Sequence, residues 1–82
     1  MSSKLPVVSG KQLVRVMRSL GYEIVRQRGS HIKMQRSTDI GTHSITVPNH
    51  KEIAKGTLND ILNMVSIWTQ TDKKSLIELL SR

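Results

Sequence analysis

The chain has 82 residues, with 13 Lys and Arg against six Asp and Glu, a formal net charge of +7 and no cysteine. That length fits one domain with one modest core, and the lack of cysteine excludes disulfides and thiolate metal sites. No stretch approaches the ~20 consecutive apolar residues of a membrane helix, and Met1-Ser2-Ser3-Lys4 lacks a signal peptide's apolar segment. The expectation is therefore a cytoplasmic protein with no membrane partner.

In chain order, residues 1–8 read as a loose leader with Pro6 near its end. Ser9-Gly10-Lys11-Gln12 has the spacing of a capping box. Leu13, Val16, Met17 and Leu20 then recur at helical spacing, and Gly21 stands where a C-terminal glycine ends a helix, which predicts a helix over about 10–20. Tyr22 to Arg28 is strand-like in composition, Arg28-Gly29-Ser30 reads as a tight reversal, and residues 30–36 make a second strand. Residues 36–41 read as a loop, and His43-Ser44-Ile45-Thr46-Val47 as a third strand closed by Pro48. Two close reversals in succession give an antiparallel meander. A second helix follows, with Ala54, Leu58, Ile61, Leu62 and Val65 on one face. Gly56 near its start suggests a close backbone approach. Thr71 or Asp72 then caps a short third helix carrying Leu76, Ile77, Leu79 and Leu80, a stripe that closes the core or docks on a neighbour. The order α-β-β-β-α plus a short helix predicts an α+β two-layer sandwich, with both main helices on one face of the sheet and the other face polar. The expected divisions are a leader at 1–8, a domain at 9–68 and a C-terminal helical extension at 69–82.

An excess of cations spread along the chain points to a folded basic surface that takes a polyanion, nucleic acid first, because Lys and Arg contacts to phosphate supply most non-specific affinity. With no Phe, one Tyr and one Trp, the chain is poorly equipped to stack single-stranded bases on exposed aromatics. Side chains on a strand alternate faces. If Ile32 and Met34 enter the core, His31, Lys33 and Gln35 share the open side. Histidine is the side chain that ordinarily titrates near physiological pH, so an outward His31 among cations suits acid–base chemistry on a phosphodiester. Lys33 shares its face, and Arg26 or Arg28 lies across the hairpin; any of these could hold the phosphate and stabilise developing charge. Ser30 and the Gly29 backbone could orient the histidine or meet the phosphate. Lys51, Lys55 and the Gly56-Thr57 amides sit near a helix N-terminus, which favours anions. Lys11, Arg15 and Arg18 form a stripe opposite the first helix's apolar face and read as a solvated surface. His43 reads as a strand-edge residue and His50 as a loop residue. The three histidines lack metal-ligand spacing, so neither metal nor cofactor is expected.

Gly21-Tyr22, Arg26-Gln27-Arg28-Gly29-Ser30-His31, Ile45-Thr46-Val47-Pro48 and Lys55-Gly56-Thr57-Leu58 with Ile61-Leu62, in this order after a helix, resemble the HicA toxins. The likeness covers roughly residues 9–65. It implies a double-stranded-RNA-binding-domain-like fold, metal-independent endoribonuclease activity on mRNA with His31 as the catalytic residue, and a HicB-type antitoxin that covers the site. The chain departs from the family pattern at Met64 to Trp68, which continues apolar, and in a longer Trp68–Thr71 stretch; both bear on C-terminal packing and the antitoxin interface more than on His31. The alternative from another class is a non-catalytic RNA-binding module of the same fold, in which His31 is a contact. A basic partner for an acidic protein is a third reading.

Overall fold

The computed structural model describes residues 5–82. Helix α1 (Gly10–Ser19) starts at the capping box: Ser9 Oγ accepts from the Gln12 amide at 3.1 Å, and Gln12 Oε1 accepts from the Ser9 amide at 2.8 Å. Two donors that a helix start otherwise leaves unpaired are thereby satisfied. The helix ends in a Schellman arrangement, with the Gly21 amide donating to Arg18 O and the Tyr22 amide to Met17 O, each at 3.0 Å. Gly21 has φ +96°, which explains a glycine there.

Strands β1 (Glu23–Arg28), β2 (His31–Thr38) and β3 (Gly41–Pro48) pair antiparallel in the order β1-β2-β3. Helix α2 (Lys55–Thr69) and helix α3 (Lys73–Leu80) complete the α-β-β-β-α-α order, the arrangement of double-stranded-RNA-binding domains with a helix added. The loop expected over 36–41 is shorter than its polar composition suggests. Thr38 pairs with Gly41 and Ser37 with Thr42, so the ladder continues to a two-residue turn at Asp39-Ile40. Thr38 Oγ1 binds that turn, donating to Gly41 O at 2.6 Å.

One face of the sheet is covered. Ile32, Met34, Ile45 and Val47 meet Leu13, Val16 and Met17 of α1 and Leu58, Leu62 and Val65 of α2 in a single core. Leu76 and Leu80 of α3 belong to the same core at 0% and 4% exposure, so the third helix closes the domain's own interior. Val8, in the segment read as a leader, is buried as well, and its carbonyl accepts from the Ile53 amide at 2.9 Å; residues 1–4 of that segment lie outside the described residues. Ala54, expected on the buried face of the second helix, is instead its exposed N-cap. Gly56 has nothing within 4 Å of where a Cβ would stand, so the close backbone approach expected there is absent; it occurs at Gly10.

His43 is not the strand-edge surface residue that its polarity suggests. It shares the inward side of β3 with Ile45 and Val47 and is 7% exposed. Its Nδ1 lies 2.6 Å from the Tyr22 hydroxyl, and its ring stacks on Trp68 with centroids 4.8 Å apart and planes 7° from parallel. Burial pushes the imidazole pKa below its ordinary value. Burial likewise raises the Tyr22 hydroxyl, against a smaller opposing pull from the Arg36 guanidinium. The apolar continuation through Trp68 divides: Val65 and Trp68 pack inward, α2 running on to Thr69 so that Trp68 covers His43, while Met64 and Ile67 are exposed; Arg36 Nη1 donates to Trp68 O at 3.4 Å.

Candidate functional site

The uncovered face of the sheet is built from β2's odd-numbered residues and their partners. His31 faces Arg28 on one side and Pro48 on the other. The next row is Arg26, Lys33 and Thr46, and the third is Glu23, Gln35 and Ser44. Successive rows stand two residues apart along the strands, about 6.6–6.8 Å. The face thus carries one imidazole and three cations in two adjacent rows, and a carboxylate where the cationic patch ends.

Arg26 and Arg28 reach this face through an irregularity in β1. Ile24 pairs with Met34, yet Arg26 pairs with Lys33, so the register shifts and Val25 is an extra residue. Unbroken alternation from Ile24 would set Arg26 opposite Ile32, on the core face. The inserted residue turns the rest of the strand over and delivers both arginines to the open side. All six β1 residues are exposed, because the helices cover β2 and β3.

His31 follows a two-residue turn. Gly29 has φ +57° and Ser30 does not have a positive φ, the pattern of a type II′ hairpin turn, which requires a glycine first. The turn is also held from outside: the Asn49 amide donates to Ser30 O at 2.7 Å. That bond makes Ser30 and Asn49 a hydrogen-bonded pair, so His31 and Pro48 form a non-hydrogen-bonded pair, where opposing side chains come closest. Pro48's missing N–H lies on the outer edge of β3, where the ladder needs no donor.

The structure brings Arg26, Arg28, Gly29, Ser30, His31 and Lys33 together at one end of the open face. Lys51 and Lys55 are exposed between β3 and the first turn of α2, outside the strand rows. His50 is exposed beside Ser9, Lys11, Asn49 and Lys51, which line one shallow cleft. Pro48, at the end of the third strand, and Asn49, just beyond it, fix His31 from that side; the only sign of this in the sequence is a proline closing the strand opposite the histidine. Among the described residues no group of three His, Asp or Glu side chains is placed to hold a metal ion, and no helix is long and apolar enough to cross a membrane.

An α+β domain with three strands, a bare cationic sheet face and one exposed histidine beside a glycine turn is the class defined by this fold. Residues 10–67 match the family model described as HicA toxin of bacterial toxin-antitoxin, and the chain belongs to that family. Membership implies an antitoxin partner. Neither a curated protein nor a solved structure matches the chain.

Proposed function

We propose that the protein is a metal-independent endoribonuclease that cleaves mRNA in the cytoplasm, with His31 transferring the proton and a HicB-type antitoxin covering the open face. The observation that carries this reading is the position of His31. It is exposed, faces Arg28 directly, and is followed one row along by the Arg26–Lys33 pair. A phosphodiester lying across these rows meets the imidazole with a cation beside it on β1 and two more in the next row.

Cleavage proceeds by attack of the substrate's 2′-oxygen on the adjacent phosphorus. The O2′–P bond forms, the P–O5′ bond breaks, and the proton removed from the 2′-OH is balanced by one delivered to the departing 5′-oxygen. His31 acts in one of these transfers, a role typically worth about 10²–10⁴ in rate. The guanidinium groups of Arg28 and Arg26 and the Lys33 ammonium stabilise the additional negative charge on the phosphorane. The products are a 2′,3′-cyclic phosphate and a 5′-hydroxyl. A protein that buries this face excludes the RNA and stops the reaction.

The test is RNA cleavage in EDTA by the parent chain and by His31→Ala, both folded and both binding RNA. Cleavage by the parent alone, leaving a cyclic phosphate, is the expected result. A 5′-phosphate and 3′-hydroxyl would mean attack by water and refute the step. A second reading, RNA binding without cleavage, draws support from the open face's single carboxylate, Glu23, lying two rows from His31. Equal binding and no cleavage by either protein would establish it.

A further inference from the structure

We propose that Gly10 is a positioning residue for His31, acting through the backbone of Pro48 and Asn49; the inference rests on the catalytic reading of His31 given above. A glycine in the first turn of a helix is intrinsically the wrong choice, costing about 1 kcal/mol against alanine within a helix. Gly10 has no positive φ that would call for it. What it provides is space. A Cβ at this position would stand 2.4 Å from Pro48 O and 2.7 Å from Asn49 Cα, and both are backbone atoms that cannot rotate aside.

This contact lies in a continuous chain of backbone links to the histidine. The Gly10 amide donates to His50 O at 2.9 Å, and the Asn49 amide between them donates to Ser30 O at 2.7 Å. Ser30 precedes His31, and Pro48 is His31's partner in the ladder. The start of α1 cannot yield, because the Ser9–Gln12 capping box fixes it, and the Ile53 amide's bond to Val8 O ties the same two segments a second time. Pro48's outward carbonyl lies against α1 while its neighbour's inward amide grips the hairpin turn. A methyl group at position 10 therefore pushes Pro48 and Asn49 off α1, lengthens the bond to Ser30 O and releases the turn that aims the imidazole. Arg26 and Lys33 lie one row further from the turn and stay where they are, so RNA binding is largely spared while proton transfer is not.

The experiment compares Gly10→Ala with the parent and with Leu80→Ala, which thins the core at α3 and controls for lost stability. All are assayed well below their unfolding temperatures. Gly10→Ala is expected to lower kcat by about 10- to 100-fold, the scale of a misplaced catalytic group, with KM and RNA affinity within about twofold of the parent. Leu80→Ala is expected to keep kcat. In the same samples, the Asn49 amide should exchange faster in Gly10→Ala while the Val47 amide remains protected. Retained kcat in a folded Gly10→Ala, or an equal loss in Leu80→Ala, overturns the proposal. If Gly10→Ala does not fold, Asn49 exchange in the parent decides: protection like that of Val47 supports the clamp, and free-chain exchange overturns it. Should His31→Ala cut RNA as well as the parent, the catalytic reading fails. The Asn49 exchange and the His31 ring resonances of Gly10→Ala then still report whether the clamp sets the ring.

Discussion

The two cationic rows make a quantitative claim about salt. Each phosphate neutralised on single-stranded RNA contributes about 0.7 to the slope of log K against log salt. Arg26 and Lys33, paired across β1 and β2, and Arg28, in the adjacent row, then give a slope of about −2.1, and raising salt fourfold weakens binding about 18-fold. If Lys51 and Lys55 also reach the strand, the slope steepens to about −3.5 and the same change costs about 130-fold. Arg28→Ala removes one contact and should make the slope shallower by about 0.7, leaving about a sevenfold loss on the three-contact face. Arg15→Ala, on the exposed side of α1, should leave it unchanged. The measurement is anisotropy of a labelled single-stranded RNA between about 50 and about 200 mM salt, with His31→Ala as background so that nothing is cut. An Arg28 slope equal to the parent's, or an Arg15 effect as large, refutes the assignment of RNA to the open sheet face.

Two further predictions concern the buried face. Tyr22→Phe removes the hydroxyl from the 2.6 Å contact with His43 Nδ1. Among the described residues no buried side-chain polar atom now lacks a partner. The orphaned nitrogen should cost about 1–3 kcal/mol, read as a Tm lowered by about 4–8 °C per kcal/mol in a domain of this size. Adding His43→Phe should recover part of the loss, and no recovery would count against the contact. His43's pKa is lowered by burial from 6.5, so on acidification the unfolded chain takes up this proton before the folded one. Its contribution is full above about pH 6.5 and falls as pH drops from there toward the depressed folded value. Thermal unfolding should show that acid-side decline, and His43→Phe should lack it; an unchanged profile in the variant would refute the assignment.

Local rules were enough where a residue's neighbours in sequence are also its neighbours in space. The Ser9–Gln12 box, the Gly21 stop and the Gly29 turn were readable because each is closed within a few residues. The outward direction of His31 followed from the burial of Ile32 and Met34 by alternation alone. Three features depend on distant partners and were not readable in the same way. The extra residue in β1 is fixed by pairing with β2, and nothing in Ile24-Val25-Arg26 marks Val25 as the one to leave out. Gly10 and Gly56 are alike as letters, and only the passage of Pro48–Asn49 beneath α1 distinguishes them. His43 did carry a signal, two and four residues before Ile45 and Val47 on one strand face. Its polarity pointed the other way until Tyr22 and Trp68 supplied the hydrogen bond and the stacked ring that make burial affordable.

That stacked ring has a spectroscopic consequence. The chain contains one tryptophan and one tyrosine, so emission excited to the red of tyrosine absorption comes from a single indole lying flat on His43 at the end of α2. Emission therefore reports the seam between the helical layer and β3, and will register the uncoupling of that seam on heating or on protonation of the imidazole beneath it. The open face bearing His31 lies on the other side of the sheet and contains no native fluorophore, so occupancy there and integrity of the fold can be followed as separate signals in one cuvette.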